Sequence, residues 1–88
     1  MKKQLELLKM LKALKYMNGG SATALQKAAG IGNYYAAKMI LAYLKDKGLV
    51  EEKYDPGPPG KIIYTLTDKG EKATTLAIKL LELLEENK

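Results

Sequence analysis

Side chains able to carry covalent or acid–base chemistry are scarce in this 88-residue sequence, and no spacing groups them. Histidine and cysteine are both absent, which removes imidazole bases, thiolate nucleophiles, disulfides and the nitrogen and sulfur ligands of transition metals. Ser21, the threonines and the six tyrosines therefore have no imidazole to activate them. Glu51 and Glu52 fall in a β-prone run, where alternation sends successive carboxylates to opposite faces. Gly57-Pro58-Pro59-Gly60-Lys61 has neither the spacing of a phosphate-binding loop nor a helix behind it. Glu82, Glu85 and Glu86 read as the wet face of a helix. The sequence thus predicts a non-enzyme with no cofactor and no metal site.

What remains is recognition chemistry, and it gathers in residues 33–47, NYYAAKMILAYLKDK. Ala37, Ile40, Leu41 and Leu44 recur at three- and four-residue spacing, Asn33 stands as an N-cap and Gly48 as a stop, so the stretch is a helix with one buried face. At 100° per residue the opposite face carries Tyr35, Lys38, Met39, Ala42 and Asp46, with Asn33 and Tyr34 at the first turn. By phase, Tyr34 either plugs the core or touches a partner. Fifteen lysines and no arginine stand against ten acidic residues, a net charge of +5. That excess favours a polyanion, whether nucleic acid or an anionic surface.

The other elements follow from similar signals. A chain this short buries only roughly 60–65% of its unfolded surface, which makes a second copy plausible before any motif is read. Residues 2–17 form a first helix with Leu7, Leu11 and Leu14 on one face and Met10 and Met17 on its flank, ended by Asn18-Gly19-Gly20. Leu5 and Leu8 lie away from that face and are either scattered surface leucines or contacts to a second subunit. Ser21 or Thr23 caps a short helix over 21–29, and Gly30-Ile31-Gly32 turns the chain into the helix at 33–47, a helix-turn-helix pattern. Two β-prone runs around DPGPPG give a hairpin over 49–66, with Ile62, Tyr64 and Leu66 on one face and Lys53 and Lys61 flanking the loop. Thr67 caps a last helix over 68–86, with Asp68 and Glu71 at the positive end of its dipole. Its Ala73, Leu76, Leu80 and Leu83 follow 3-4-3 spacing, and Ala77, Leu81 and Leu84 widen the apolar arc to roughly 160°. That arc either lies over the first helix in a monomer or pairs with its symmetry mate in a two-fold dimer.

The segments Lys45-Asp46-Lys47-Gly48-Leu49-Val50 and Tyr64-Thr65-Leu66-Thr67-Asp68-Lys69-Gly70 resemble the winged-helix family over about residues 18–73. In that family the first segment ends the recognition helix and the second leaves the wing for a C-terminal helix. The layout is similar to small regulators of the multiple-antibiotic-resistance (MarR) and phenolic-acid-regulator (PadR) types. It also resembles archaeal winged-helix chromatin proteins, which dimerise through a long terminal helix. The resemblance implies one domain over 1–88, α+β but mainly α: a winged helix-turn-helix with a two-stranded wing and a long C-terminal dimerisation helix. It further implies a recognition helix in the major groove of double-stranded DNA.

Candidate DNA contacts are Lys27, Asn33, Tyr34, Tyr35, Lys38, Met39, Lys45, Lys53 and Lys61; candidate homodimer contacts are Leu5, Leu8, Leu76, Leu80, Leu81, Leu83 and Leu84. Bidentate guanine contacts by arginine are impossible in this sequence, so weak or moderate base preference is expected of a transcription regulator or nucleoid protein. The alternative is a winged-helix protein–protein module, since Tyr35, Met39 and Ala42 suit a protein groove as well. No apolar run of 18 residues occurs, and Glu6, Lys9, Lys12 and Lys15 interrupt any signal-peptide core after Lys2 and Lys3. A cytoplasmic, nucleoid-associated protein is expected, without membrane contact; the sequence leaves any small-molecule effector open. Abundant lysine and glutamate without cysteine resemble the usage of hyperthermophiles.

Overall fold

The computed structural model describes residues 2–86. Four helices and one antiparallel sheet follow in the order α1 (Lys2–Met17), α2 (Ala22–Ala29), α3 (Tyr34–Asp46), β1 (Val50–Asp55), β2 (Lys61–Leu66) and α4 (Asp68–Glu86). Each junction has a local chemical cause. Asn18 and Gly19 adopt left-handed backbone at φ 59° and 93°, and the Gly19 N–H donates to the Leu14 carbonyl at 3.0 Å, which closes α1. The Ser21 hydroxyl accepts from the Ala24 N–H at 3.2 Å to start α2, and Gly30 ends it at φ 71°. Asn33 accepts from the N–H groups of Tyr35 and Ala36 at 2.7 and 3.2 Å and starts α3. Thr67 accepts from the Gly70 N–H at 3.0 Å and starts α4, while its own hydroxyl donates to the Gly48 carbonyl at 2.7 Å.

The core lies where α1, α2 and α3 meet, under the sheet and α4. Met10, Leu14, Leu25, Leu41 and Leu44 are its most buried large side chains. Met10 is not on the flank of α1, as periodicity alone suggested, but is fully buried, whereas Leu7 is half-buried. The reason is that both α2 and α4 cover α1, so the buried arc is set by two neighbours rather than by one. β1 and β2 pair in register Val50↔Leu66 through Asp55↔Lys61. Gly20 brings a third segment to the sheet as a single bridge, exchanging backbone hydrogen bonds with Tyr64 at 3.0 and 2.9 Å. A side chain at Gly19 would come within 2.8 Å of the Tyr64 carbonyl oxygen, so the segment that stops α1 is also the one that lies against the sheet.

The broad apolar arc of α4 divides in two. Thr74, Ala77 and Leu81 are buried, whereas Leu76, Leu80, Leu83 and Leu84 are exposed. The Thr74 hydroxyl tolerates burial because it donates to the Gly70 carbonyl at 2.7 Å. Leu81, expected among the contacts to a second subunit, is instead only 6% exposed and belongs to the protein's own buried side. Gly70, on the first turn of α4, is pressed against the carbonyl of Leu49, and any Cβ there would overlap that backbone group. Since the obstacle is backbone rather than a movable side chain, Gly70→Ala is expected to destabilise the fold by about 1–3 kcal/mol. A lowered urea midpoint with an unchanged helical spectrum is the expected reading, and an unchanged midpoint contradicts the close contact.

Candidate nucleic-acid interface

α3 buries Ala37, Leu41 and Leu44 completely and turns Tyr35 and Met39 outward, at 77% and 71% exposure. No other described part of the chain covers this ridge. Tyr34 is 43% exposed, so it does not plug the core; its ring stands edge-on to Tyr35 with centroids 6.0 Å apart. Further along, the Lys47 ammonium sits 5.6 Å above the exposed Tyr43 ring.

The cations of α3 are on its flank rather than on the ridge. Lys38 and Lys45 are seven residues apart and so lie within about 20° of each other around the helix. Both turn toward the root of the wing. Lys38 Nζ donates to the Tyr64 hydroxyl at 3.3 Å and lies 5.9 Å from the centre of that ring. Tyr64 itself is 3% exposed. Lys45 Nζ is 2.6 Å from Glu52 Oε1. Glu52 stands opposite Tyr64 in the sheet register, and both face α3. The hydrogen bond from Lys45 chiefly holds the Glu52 carboxyl below its usual range, helped by Tyr64 and by the charge of Lys38. Lys38 is held above the usual lysine range, first by its hydrogen bond to Tyr64 and then by the nearby Tyr34 and Glu52.

Two clefts separate α3 from the wing. One, of about 440 Å³, is bordered by Ser21, Thr23, Tyr34, Lys38, Tyr54 and Lys61, bringing the start of α2 and the wing to the same opening. The other, of about 490 Å³, is lined by Lys38, Lys45, Asp46 and Glu52. Of the sequence candidates, Asn33, Tyr34, Tyr35, Lys38, Met39, Lys45 and Lys61 are therefore brought to one side of the molecule around α3. Lys27 stands exposed in the last turn of α2. Lys53 pairs with Ile63 and by strand alternation lies on the wing face opposite Glu52 and Tyr64, away from α3. Sequence reasoning missed Tyr64 as the partner of Lys38, Glu52 as the partner of Lys45, and Ser21, Thr23 and Tyr54 as cleft residues. Alternation did signal that Glu52, unlike Glu51, shares a face with Val50 and Tyr54.

No protein-family model matches the sequence, and no curated protein is detectably similar to it in sequence. Solved structures are similar in fold. The regulator BpsR of Bordetella bronchiseptica superposes with a TM-score of 0.82 at 22% identity, over 93% of this chain and 61% of that one. Diamide-treated YodB of B. subtilis gives 0.70 at 19% identity, over 98% and 90% of the two chains. A MarR family transcriptional regulator from Silicibacter pomeroyi DSS-3 gives 0.76 at 18%, over 94% and 57%. The chain has the winged-helix fold. Its architecture is α+β and mainly α, with a two-stranded wing and a long C-terminal helix, and its structural neighbours are winged-helix transcription regulators. It spans about three fifths of the BpsR chain. Among the described residues no helix is long and apolar enough to cross a membrane, and no cluster of acidic side chains could hold a metal ion.

The Glu52 shift has a testable sign. A carboxyl held below its unfolded value stabilises the folded state above the ordinary carboxylate range, and that contribution is lost as pH falls through the lowered value. Glu52→Gln is therefore expected to melt slightly lower than the wild type at pH 7. The difference should close on acidification, and a difference that persists at pH 3 would sink the assignment to Glu52.

Proposed function

We propose that the protein binds double-stranded DNA as a homodimer, as a transcription regulator or nucleoid-associated protein, without catalytic activity or a cofactor. The observation that carries this reading is the uncovered ridge of α3, Tyr35 and Met39, flanked by Lys38, Lys45 and Lys61 at the mouths of clefts between helix and wing. A helix of this kind fits the roughly 12 Å major groove, with lysines on its flank placed for the phosphates on either side. Tyr34, Tyr35 and Met39 offer contacts to phosphates and thymine methyls, and Lys38, nearer the start of the helix than Lys45, can also donate to guanine. Asn33 is occupied by its cap, and Lys27 and Lys53 add to the positive field rather than to the groove contact. Weak or moderate base preference follows. The fold of regulators such as BpsR, whose DNA binding is regulated by 6-hydroxynicotinic acid, supports the reading, and an effector for this chain belongs to the same proposal. A cytoplasmic location is part of it too.

The second copy is expected on the outer half of α4, through Leu76, Leu80, Leu83 and Leu84, with Leu5 at 36% exposure and the half-buried Leu8 at the margin. If a dimer neutralises on the order of 6–10 phosphates, its affinity for random duplex DNA falls roughly 10³–10⁵-fold between 50 and 200 mM salt. Anisotropy titrations at several salt concentrations check this. A salt-independent constant removes the DNA reading, and unchanged duplex mobility at low salt leaves a protein–protein module in its place. Leu80→Glu combined with Leu84→Glu is expected to give a folded monomer in analytical ultracentrifugation with much weaker DNA binding. A wild-type mass of one chain at all concentrations would rule out the dimer.

A further inference from the structure

The lysines of α3 differ in how their charge is met. Lys38 donates to the phenol of Tyr64, a neutral partner. Lys45 is matched by a full carboxylate 2.6 Å away on the neighbouring strand. The pair is open to solvent, with the two side chains 54% and 32% exposed, and it borders a cleft of about 490 Å³. A phosphate entering that cleft meets an ammonium that already has an anion beside it. Phosphate and carboxylate cannot both sit against Lys45 without repelling each other.

Resting on the DNA-binding reading above, we propose that Glu52 is a competitor built into the interface. It keeps its hold on Lys45 in competition with DNA phosphates, and so reduces the number of phosphates that α3 neutralises. An exposed ion pair of this type changes an equilibrium constant by at most about five-fold. Glu52 therefore weakens binding without preventing it. Its effect is on affinity for any duplex, because a phosphate contact carries no base information. Glu51 is the natural control, since it bears the same charge on the same strand but faces away from α3.

The test uses the full chain, a fluorescent random duplex and a potassium chloride series at pH 7. Glu52→Gln is expected to bind about three- to five-fold tighter than the wild type. Its log–log salt dependence should be steeper by about 0.9 for each Lys45 phosphate contact regained. Glu51→Gln should leave that slope unchanged. Lys45→Ala should weaken binding in both backgrounds, but by about three- to five-fold more in the Glu52→Gln background, where it removes the whole gain. The inference is overturned if Glu52→Gln and Glu51→Gln behave alike, or if Lys45→Ala costs the same in both backgrounds. Binding by the wild type with either of those results removes the competitor alone, whereas no binding by any variant removes the DNA reading and the competitor together.

Discussion

The orientation of the wing against α3 depends on Tyr64. Its backbone holds Gly20, its ring is buried at the root of the sheet, and its hydroxyl accepts from Lys38. A tyrosine suits this position because its body is apolar and its tip is polar, so one side chain can complete a core and still order a lysine at the surface. Together with the buried Val50 it fixes to the helices a two-stranded wing that would be marginal in water alone. With it, the helix, the wing and the end of α1 share one rigid point. The clefts on either side of Lys38 exist because that point holds the wing off the helix.

The charge distribution follows from the same packing. The ridge of α3 is apolar, and the cations that belong to it have been drawn toward the wing by a phenol and a carboxylate. In a groove-bound complex this divides the contact, with apolar and aromatic groups near the bases and lysines near the phosphates. Lysine is a flexible point charge without arginine's planar fork, so under the proposed reading such a surface would hold a duplex more readily than it would distinguish one.

The order of elements was legible in the sequence because caps and stops are local. Asn33, Ser21 and Thr67 act within three residues of themselves, and the hairpin is forced by its prolines and glycines. The outward phase of Tyr35 and Met39 was legible for the same reason, as helical periodicity needs no knowledge of neighbours. It could not say which neighbour covers which part of a broad arc, and so it placed Met10 at an edge and Leu81 at an interface. Phase alone also left Tyr34 open between core and surface. The Gly20–Tyr64 rung, the Lys38–Tyr64 hydrogen bond and the Lys45–Glu52 pair join residues far apart in the chain. They depend on how helix and wing dock, which no short spacing encodes.

The absence of a side chain at Gly70 matters well beyond its own turn. α4 starts there against the Leu49 backbone, and Leu84 lies fourteen residues further, roughly 21 Å along the axis. Between the two, Thr74, Ala77 and Leu81 seat the helix against the rest of the protein. A tilt of about 10° at that root would swing the far leucines by about 4 Å, roughly the width of a methyl group. In any assembly held through those leucines, the separation of two copies of α3 would be gauged by how α4 is seated, at this backbone contact and along α1.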